Sequence, residues 1–341
     1  VTVKLLPFDN KSELQVVLDL PEGRSLEETE RTLFQAAKLI ADVPELSSLQ
    51  AYAGTAAPFN FNGLVRHYFL RSSASQGDLQ VNLKPKSQRS RQSHEIALDI
   101  RKRLLAGLSM PEGTSLKVVE VPPGPPVLST LLLEVYGRDA DERRAVTAEV
   151  RKAFSRVPFV VDVDDTVRTP GDRVRFRLNE PALEWYGVSE QAVYDTLRAV
   201  MSGVSVGYSH RGAGVQPIEI VVRLPKSDLS ITERLLSTPV PGARGNVELG
   251  DLVRIEHEQA SPSIFRRDGR PAEMVTAELA GEYEAPIYGM LAVSKELEKV
   301  DWGKLGLPPV SLHGQPVDEA HPSLLWDGEW EVTWVTFRDM G

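Results

Sequence analysis

The sequence predicts an α+β chain of two modules in β-α-β-β-α-β order, the second interrupted by a small β-rich insertion. Three observations carry this. Apolar side chains fill short runs at 14–20 and 130–136, the length and texture of half-buried or buried strands. Each run leads into a helix-period stripe that ends at a Val-Pro pair, Val43-Pro44 and Val157-Pro158, where proline disfavours the α region for the residue before it. These strand–helix–Val-Pro–strand units lie roughly 115 residues apart, a spacing suited to two domains rather than a solenoid.

In the first module, Leu14 to Leu20 (LQVVLDL) is the opening strand and Pro21-Glu22-Gly23 a turn. Ser25 is a candidate N-cap, with Glu28 at the capping-box spacing. Leu26, Leu33, Ala36, Ala37 and Ile40 then share one helical face. A strand follows at 46–53, another at 64–71 and a further extended stretch at 79–83. A helix over 89–108 carries Ala97, Ile100, Leu104 and Leu108 on one stripe, and a strand at 116–121 closes the module. That order is the split βαβ arrangement of ferredoxin-like folds. VPPGPP at 121–126 reads as a stiff linker.

The second module opens with a strand at 130–136, a helix at 141–154 and a strand at 159–163. A third strand at 173–178 and a second helix at 189–201 are predicted next, with the closing strand delayed to 274–279. The intervening segment holds Gly207, Gly212, Gly214 and short β runs bounded by Pro and Gly, the mark of an inserted β-rich unit. A further helix is predicted over 285–299. The expected division is therefore 1–121, 122–203, 204–273 (the insertion), 274–312 and a tail at 313–341.

Composition narrows the function. At 341 residues the chain has room for two or three domains of about 100–200 residues each. No run approaches the ~18 apolar residues of a spanning helix, and no signal peptide opens the chain. A formal charge of −9 argues against a nucleic-acid or anionic-membrane surface, which needs basic patches. The absence of cysteine excludes disulfides and thiolate metal sites. His67, His94, His210, His257, His313 and His321 are scattered without metal-site spacing. Asp162, Asp164 and Asp165 lack the ligand pattern of a calcium loop and read as a solvated turn after a strand. Gly207, Gly212 and Gly214 precede a strand, not the helix a phosphate loop requires. No nucleophile elbow is present. No catalytic residue, metal ligand or cofactor is predicted.

The candidate binding segment is GTAAPFNFNG at 54–63. Phe59 and Phe61, interleaved with Asn60 and Asn62 and flanked by Tyr52, Tyr68 and Phe69, suit bulky amphiphilic ligands, because aromatic faces bury area without demanding fixed hydrogen-bond geometry. The alternative is that Phe59 and Phe61 fold back as a lid on the module's own core. Arg66 and His67 are expected on opposite faces of a strand, Arg66 in a surface ion pair, with contact to acidic or zwitterionic substrates as the alternative. Lys84, Lys86, Arg89 and Arg91 read as a solvated basic face or an interdomain contact.

Both ends read as cut. The chain starts at Val1 without an initiator methionine and stops just after Trp326, Trp330, Trp334 and Phe337. Spacings of four, four and three put these on one helical face, and Trp with Arg338 suits a bilayer edge.

KLLPFDNKSELQVVLDLPEG (Lys4 to Gly23) and LLWDGEWEVTWVTFRDMG (Leu324 to Gly341) resemble the two borders of the second periplasmic loop of resistance-nodulation-division (RND) efflux pumps, between transmembrane helices seven and eight. VRFRLNEPALEWYGVSEQAV (Val174 to Val193) and IFRRDGRPAEMVTAEL (Ile264 to Leu279) resemble the same loop, so the likeness runs over essentially the whole chain. It implies two porter modules on the periplasmic side of the bacterial inner membrane, with the insertion as a docking subdomain toward the outer-membrane channel. The 54–63 segment would line the substrate path, making Tyr52, Phe59, Asn60, Phe61, Asn62 and Tyr68 the implied substrate contacts, although it departs from the glycine-rich Phe-Gly-Phe form of well-known drug pumps. Transport would proceed by alternating access, with proton-coupling carboxylates outside this chain. The implied partners are small amphiphilic organic substrates, the rest of the pump as a homotrimer, a periplasmic adaptor and an outer-membrane channel. Soft cations travel past thioethers and thiolates. The first methionine is Met110 and cysteine is absent, so the resemblance is placed in the hydrophobe/amphiphile (acriflavine-resistance-like) branch. The rivals are a soluble duplicated ferredoxin-like binding or assembly module, and a pump relative that moves lipids or export intermediates.

Overall fold

The computed structural model describes residues 9–340 apart from 122–126, 169, 213, 226–228, 230, 232, 282, 284, 304–305 and 319. The proline-rich linker at 122–126 and the start of the first border motif thus lie outside the described residues. In chain order the first module contains β1 (Glu13–Asp19), α1 (Leu26–Ile40), β2 (Leu46–Ala53), α2 (Phe61–Val65), β3 (Gln76–Leu83), α3 (Ser93–Gly107) and β4 (Ser115–Glu120). Its antiparallel sheet has the order β2-β3-β1-β4. The Ser25 hydroxyl accepts from the Glu28 N–H at 3.2 Å, satisfying one orphan donor at the start of α1. Glu28 itself turns to Arg24 at 3.1 Å instead of completing a capping box. Leu33, Ala36 and Ile40 of α1 and Ile96, Ile100 and Leu104 of α3 pack on Val16, Leu18, Leu79 and Val81 of the sheet. The two helical stripes therefore meet on one face, as their periodicity requires.

The strand expected at 64–71 is absent. In its place stand the single turn α2 and a 3₁₀ turn at Tyr68–Leu70. Asn60 caps α2, its side-chain oxygen accepting from the Gly63 N–H at 2.7 Å. His67 then takes a left-handed φ of 58°, which reverses the chain and rules out strand geometry. Arg66 and His67 consequently do not alternate across a sheet.

The second module begins with β5 (Leu131–Tyr136), α4 (Ala140–Ser155) and β6 (Val160–Asp165). The chain then enters a separate compact unit, Asp172–Ala260. This unit holds β7 (Asp172–Leu178), α5 (Glu180–Tyr186), α6 (Glu190–Met201), β8 (Val204–Ser209), β9 (Ile218–Val222), α7 (Glu233–Leu236), β10 (Pro239–Gly242), β11 (Gly245–Glu248), α8 (Leu249–Leu252) and β12 (Val253–Gln259). Its strands pair β7 with β12, β8 with β9 and β10 with β11, around a core that includes Leu183, Val193, Val240, Leu249 and Leu252. The module resumes with β13 (Arg266–Arg267), β14 (Arg270–Pro271), β15 (Glu273–Leu279), α9 (Pro286–Leu297), β16 (Val310–Ser311), β17 (Ser323–Gly328) and α10 (Glu329–Met340).

Its sheet runs β16-β17-β5-β15-β6, so β5, α4, β6, β15, α9 and β17 form a second ferredoxin-like unit with the strand order of the first. Three element assignments change. The run at 173–178 is not the module's third strand and the helix at 189–201 is not its second helix; both belong to the inserted unit, which starts at Asp172 rather than Val204. The strand at 273–279 is third, not closing, because β15 lies between β5 and β6. The closing strand is β17, which pairs along β5. Val275, Ala277, Leu279, Leu324 and Trp326 all join the core beneath α4 and α9.

The four-residue aromatic stripe also divides. Trp326 is buried at 1% exposure in β17 and packs tilted against Phe154, ring centroids 5.8 Å apart. Gly328 breaks strand from helix at φ 73°, where a Cβ would lie 2.7 Å from the Ser129 carbonyl oxygen. Only Trp330, Trp334 and Phe337 sit on α10. The Trp330 indole donates to the Leu312 carbonyl at 2.6 Å, and Trp334 stacks on His313 at 4.2 Å. Among the described residues no helix is long and apolar enough to cross a membrane.

Candidate functional site

The connection from β2 to β3 presents its aromatic rings outward. Phe59 is 70% exposed, and Phe61, Leu64, Phe69 and Leu70 are exposed beside it. Phe59 and Phe69 approach with centroids 6.1 Å apart, and His67 meets Phe69 edge-on at 6.2 Å. Phe59 and Phe61 thus do not fold back onto the core as a lid. The other residues singled out from the sequence divide by what they touch. Asn60 spends its side chain on capping α2. Asn62 is buried at 2% exposure and does not face solvent in this arrangement. Tyr52 is half-buried, its hydroxyl 3.3 Å from Gln50. Tyr68 is half-buried under the guanidinium of Arg71, 5.8 Å from its ring centre.

Arg71 anchors the far end of this connection. It donates to Asp19 at 2.6 Å, to the Leu18 carbonyl at 2.9 Å and to the Gly77 carbonyl at 3.2 Å, and it pairs with Asp78 at 3.1 Å. Asp78, fully buried, also accepts from the Ala57 N–H at 3.1 Å. Both ends of the loop are therefore tied to β3 while its rings stay in solvent. Leu64, His67 and Leu70 lacked any periodic signal, because a single capped turn is too short to show one.

A seam of buried ion pairs joins the two modules below the loop. Arg101 of α3 grips Asp162 of β6 with two bonds, 3.0 and 2.7 Å, and its second nitrogen also reaches the Val118 carbonyl at 2.9 Å. Lys117 of β4 bonds Asp164, which Arg168 meets at 3.1 Å. Arg66, at the end of α2, bonds Glu278 of β15 at 2.6 Å and the Leu128 carbonyl at 3.1 Å. Asp162 and Asp164 have 4% exposed side chains, so the acidic run is a buried half of an interface and not a solvated turn. Burial would raise the Asp164 carboxyl, but Lys117 and Arg168 together hold it far below the usual range. For Asp162 burial prevails over Arg101 and the carboxyl is raised. Arg66 is likewise buried rather than in a surface pair. Arg91 of the basic run is partly buried between Glu45 at 2.5 Å and Asp99 at 2.9 Å, within the first module.

A second charged cluster sits where β17 meets α10. Glu134 accepts from the Tyr136 hydroxyl and from Arg267 at 3.1 Å, and Arg267 also donates to Asp327 at 2.5 Å. Burial first, then the neighbouring Asp327, raises Glu134 to about 7. Glu331 is also raised to about 7, chiefly by its hydrogen bond with Asp327. A raised carboxyl favours the protonated folded state, so its stabilisation is complete below the ordinary value near 4.5 and is lost as pH rises through about 7. Glu331→Gln removes that loss. Its melting temperature should exceed the wild type's by about 1–2 °C at pH 8, since a partly solvated carboxyl is worth roughly 0.5 kcal/mol, and the gap should close by about pH 5. Thermal scans across that range check it.

Among the described residues no group of three or more His, Cys, Asp or Glu side chains could hold a metal ion. Two ferredoxin-like modules, the second interrupted by a separate inserted unit, are joined by a buried ionic seam into a duplicated α+β architecture. Residues 1–290 match the AcrB/AcrD/AcrF family, and the chain belongs to that family. It is 26% identical over 161 residues to the nickel and cobalt resistance protein CnrA of Cupriavidus metallidurans, covering 46% of this chain and 15% of that protein. Two crystal forms of a heavy metal efflux pump share the fold. Form II has a TM-score of 0.72 at 18% identity over 99% of this chain and 33% of the pump. Form I has 0.73 at 18% over 98% and 32%. The chain therefore spans about a third of the solved pumps and a smaller part of the curated relative.

Proposed function

We propose that this chain is the periplasmic porter portion of a proton-driven RND efflux transporter and that it captures small amphiphilic organic molecules on the loop between β2 and β3. The carrying observation is the cluster of Phe59, Phe61, Leu64, Phe69 and Leu70, exposed together on a loop whose ends are pinned. Large apolar side chains exposed on one short loop, two of them with ring centroids 6.1 Å apart, suit a binding surface. Asp172–Ala260 would be the docking subdomain toward an outer-membrane channel. The seam supplies the moving part. Buried ion pairs gain little net free energy over their hydrated state, so the modules can part and close without a large barrier of stability. In the intact protein this would give alternating access in a trimer working with a periplasmic adaptor.

Rhodamine 6G, a planar amphiphile, is the probe. Its fluorescence polarisation with the 341-residue chain should report binding that Phe59→Ala/Phe69→Ala weakens about tenfold, from the roughly 0.5–1.5 kcal/mol of each aromatic contact. Unchanged binding would remove the loop from the substrate path. A second reading rests on the name of the nickel and cobalt resistance relative and on His67 beside Phe69. Borderline divalent cations take imidazole ligands, so that reading requires Co(II) binding that His67→Ala abolishes and the double Phe variant leaves intact.

A further inference from the structure

We propose that Arg66 is a positioning residue that ties the aromatic loop to the second module, so that the loop's arrangement depends on whether the seam is closed. This deepens the reading of the loop as a substrate contact and rests on it for its consequence, though not for its test.

Arg66 belongs to the loop by backbone and to the seam by side chain. Its N–H donates to the Asn62 carbonyl at 2.9 Å, ending α2. Asn60 caps the other end, and the Leu64 N–H returns to the Asn60 carbonyl at 3.0 Å. Residues 60–66 are thus one hydrogen-bonded turn that carries Phe61 and Leu64 as a unit. Immediately after it, His67 reverses the chain into the turn bearing Phe69 and Leu70. A displacement of Arg66 must move the rings on both sides of it.

The other end of the tether is built for this contact. Glu278 lies 212 residues away, on β15, where the register against β6 slips between Thr276 and Glu278. Such a bulge leaves a residue unpaired and re-aims its neighbours. The Ala277 carbonyl is taken by the Ser129 hydroxyl at 2.7 Å, and Thr130 donates to Glu278 at 2.5 Å. The carboxylate is held by its own module and offered to Arg66.

The energetics suit a contact that breaks. Arg66 is nearly dry, with 9% of its side chain exposed, and its Nε has no hydrogen-bond partner. Desolvating a guanidinium and orphaning one of its donors offsets much of the attraction to Glu278. When the modules separate, water repairs that donor and solvates both charges. The tether therefore holds the loop in the closed seam and releases it in the open one. Coupling of this kind is reciprocal, so an amphiphile that orders the loop also favours closure of the seam.

The test is hydrogen exchange by mass spectrometry on the 341-residue chain, comparing wild type, Glu278→Gln and Arg66→Met. Amides in 57–70 should exchange about tenfold faster in both variants, while those of α1 and α3 keep their wild-type rates. Arg66→Lys, which retains a cation near Glu278, should recover part of the protection. Unchanged exchange in 57–70 would overturn the tether. A rise spread evenly over the first module would overturn it too, since Arg66 would then be a purely structural ion pair. Faster loop exchange in Glu278→Gln, together with rhodamine 6G binding indifferent to Phe59→Ala/Phe69→Ala, leaves the tether standing and overturns the amphiphile reading alone.

Discussion

Replacing Arg101 with methionine is expected to destabilise the chain by about 3–5 kcal/mol, the cost of leaving a buried charge without its partner. The methionine fills most of the aliphatic stem, so lost packing is a minor part of the effect. Asp162 would keep only the Val118 N–H at 3.2 Å in a place where its side chain is 4% exposed. The penalty should depend on pH in a definite direction. Burial already raises the Asp162 carboxyl against the pull of Arg101, and removing the guanidinium raises it further. A raised carboxyl is stabilising when protonated and loses that contribution as pH rises. The deficit of Arg101→Met should therefore be full at pH 8 and shrink steadily as the solution is acidified toward pH 5. Arg101→Met/Asp162→Asn removes the charge altogether, and Asn tolerates the left-handed φ of 54° found at this position. It should recover most of the loss. Urea midpoints of the two variants across pH decide the matter. A single-variant loss under about 1 kcal/mol would mean that water already reaches the seam, since exposed pairs contribute only that much.

The seam is also where the sequence was least legible. Asp162, Asp164 and Asp165 look like a hydrated turn because, apart from Arg168 four residues past Asp164, the charges that answer them lie far away in the chain. Arg101 lies 61 residues away and Lys117 47 from its aspartate. Pattern reading weighs neighbours, and these partners are neighbours only after folding. The same limit displaced the second module's third strand. Residues 173–178 followed by the helix at 189–201 satisfy strand–helix spacing as well as β15 followed by α9 does. What separates them is which strand buries its face between β5 and β6, a tertiary choice. Where the signal was local it was clear. The helical faces of α1 and α3, the Val-Pro ends of α1 and α4, and the first module's β1, β2 and β4 all follow from periodicity and proline chemistry. The aromatic loop stood out for its composition, but its internal turn did not, and Asn62 could not be told apart from Asn60 until one was buried and the other capped a helix. The tail shows the opposite error. Spacings of four, four and three suggested one helical face, and Gly328 at φ 73° divides it between a strand and a helix.

Trp326→Ala should be as damaging as the loss of Arg101, for an apolar reason. Trp326 is the largest fully buried side chain of the second core, seated against Phe154 and in the same cluster as Met290, Val293 and Leu297 of α9. Truncating a buried Trp costs about 3–5 kcal/mol from lost transfer free energy plus the cavity left behind. Phe154 of α4 lines that cavity, and β17 is held by the ladder to β5 from Ser323↔Tyr136 to Gly328↔Leu131, so the site cannot easily collapse. Trp326→Phe should lose much less. It keeps an aromatic ring against Phe154 and removes the indole N–H, which is buried without a hydrogen-bond partner and so contributes a penalty of its own. Urea unfolding followed by far-UV circular dichroism should show the midpoint of Trp326→Ala well below that of Trp326→Phe. A ranking with Phe equal to Ala would mean that the indole nitrogen, not the ring's volume, holds this strand to its core. If instead Trp326 belonged to an exposed interfacial stripe with Trp330, Trp334 and Phe337, neither substitution would change the stability by more than about 0.5 kcal/mol.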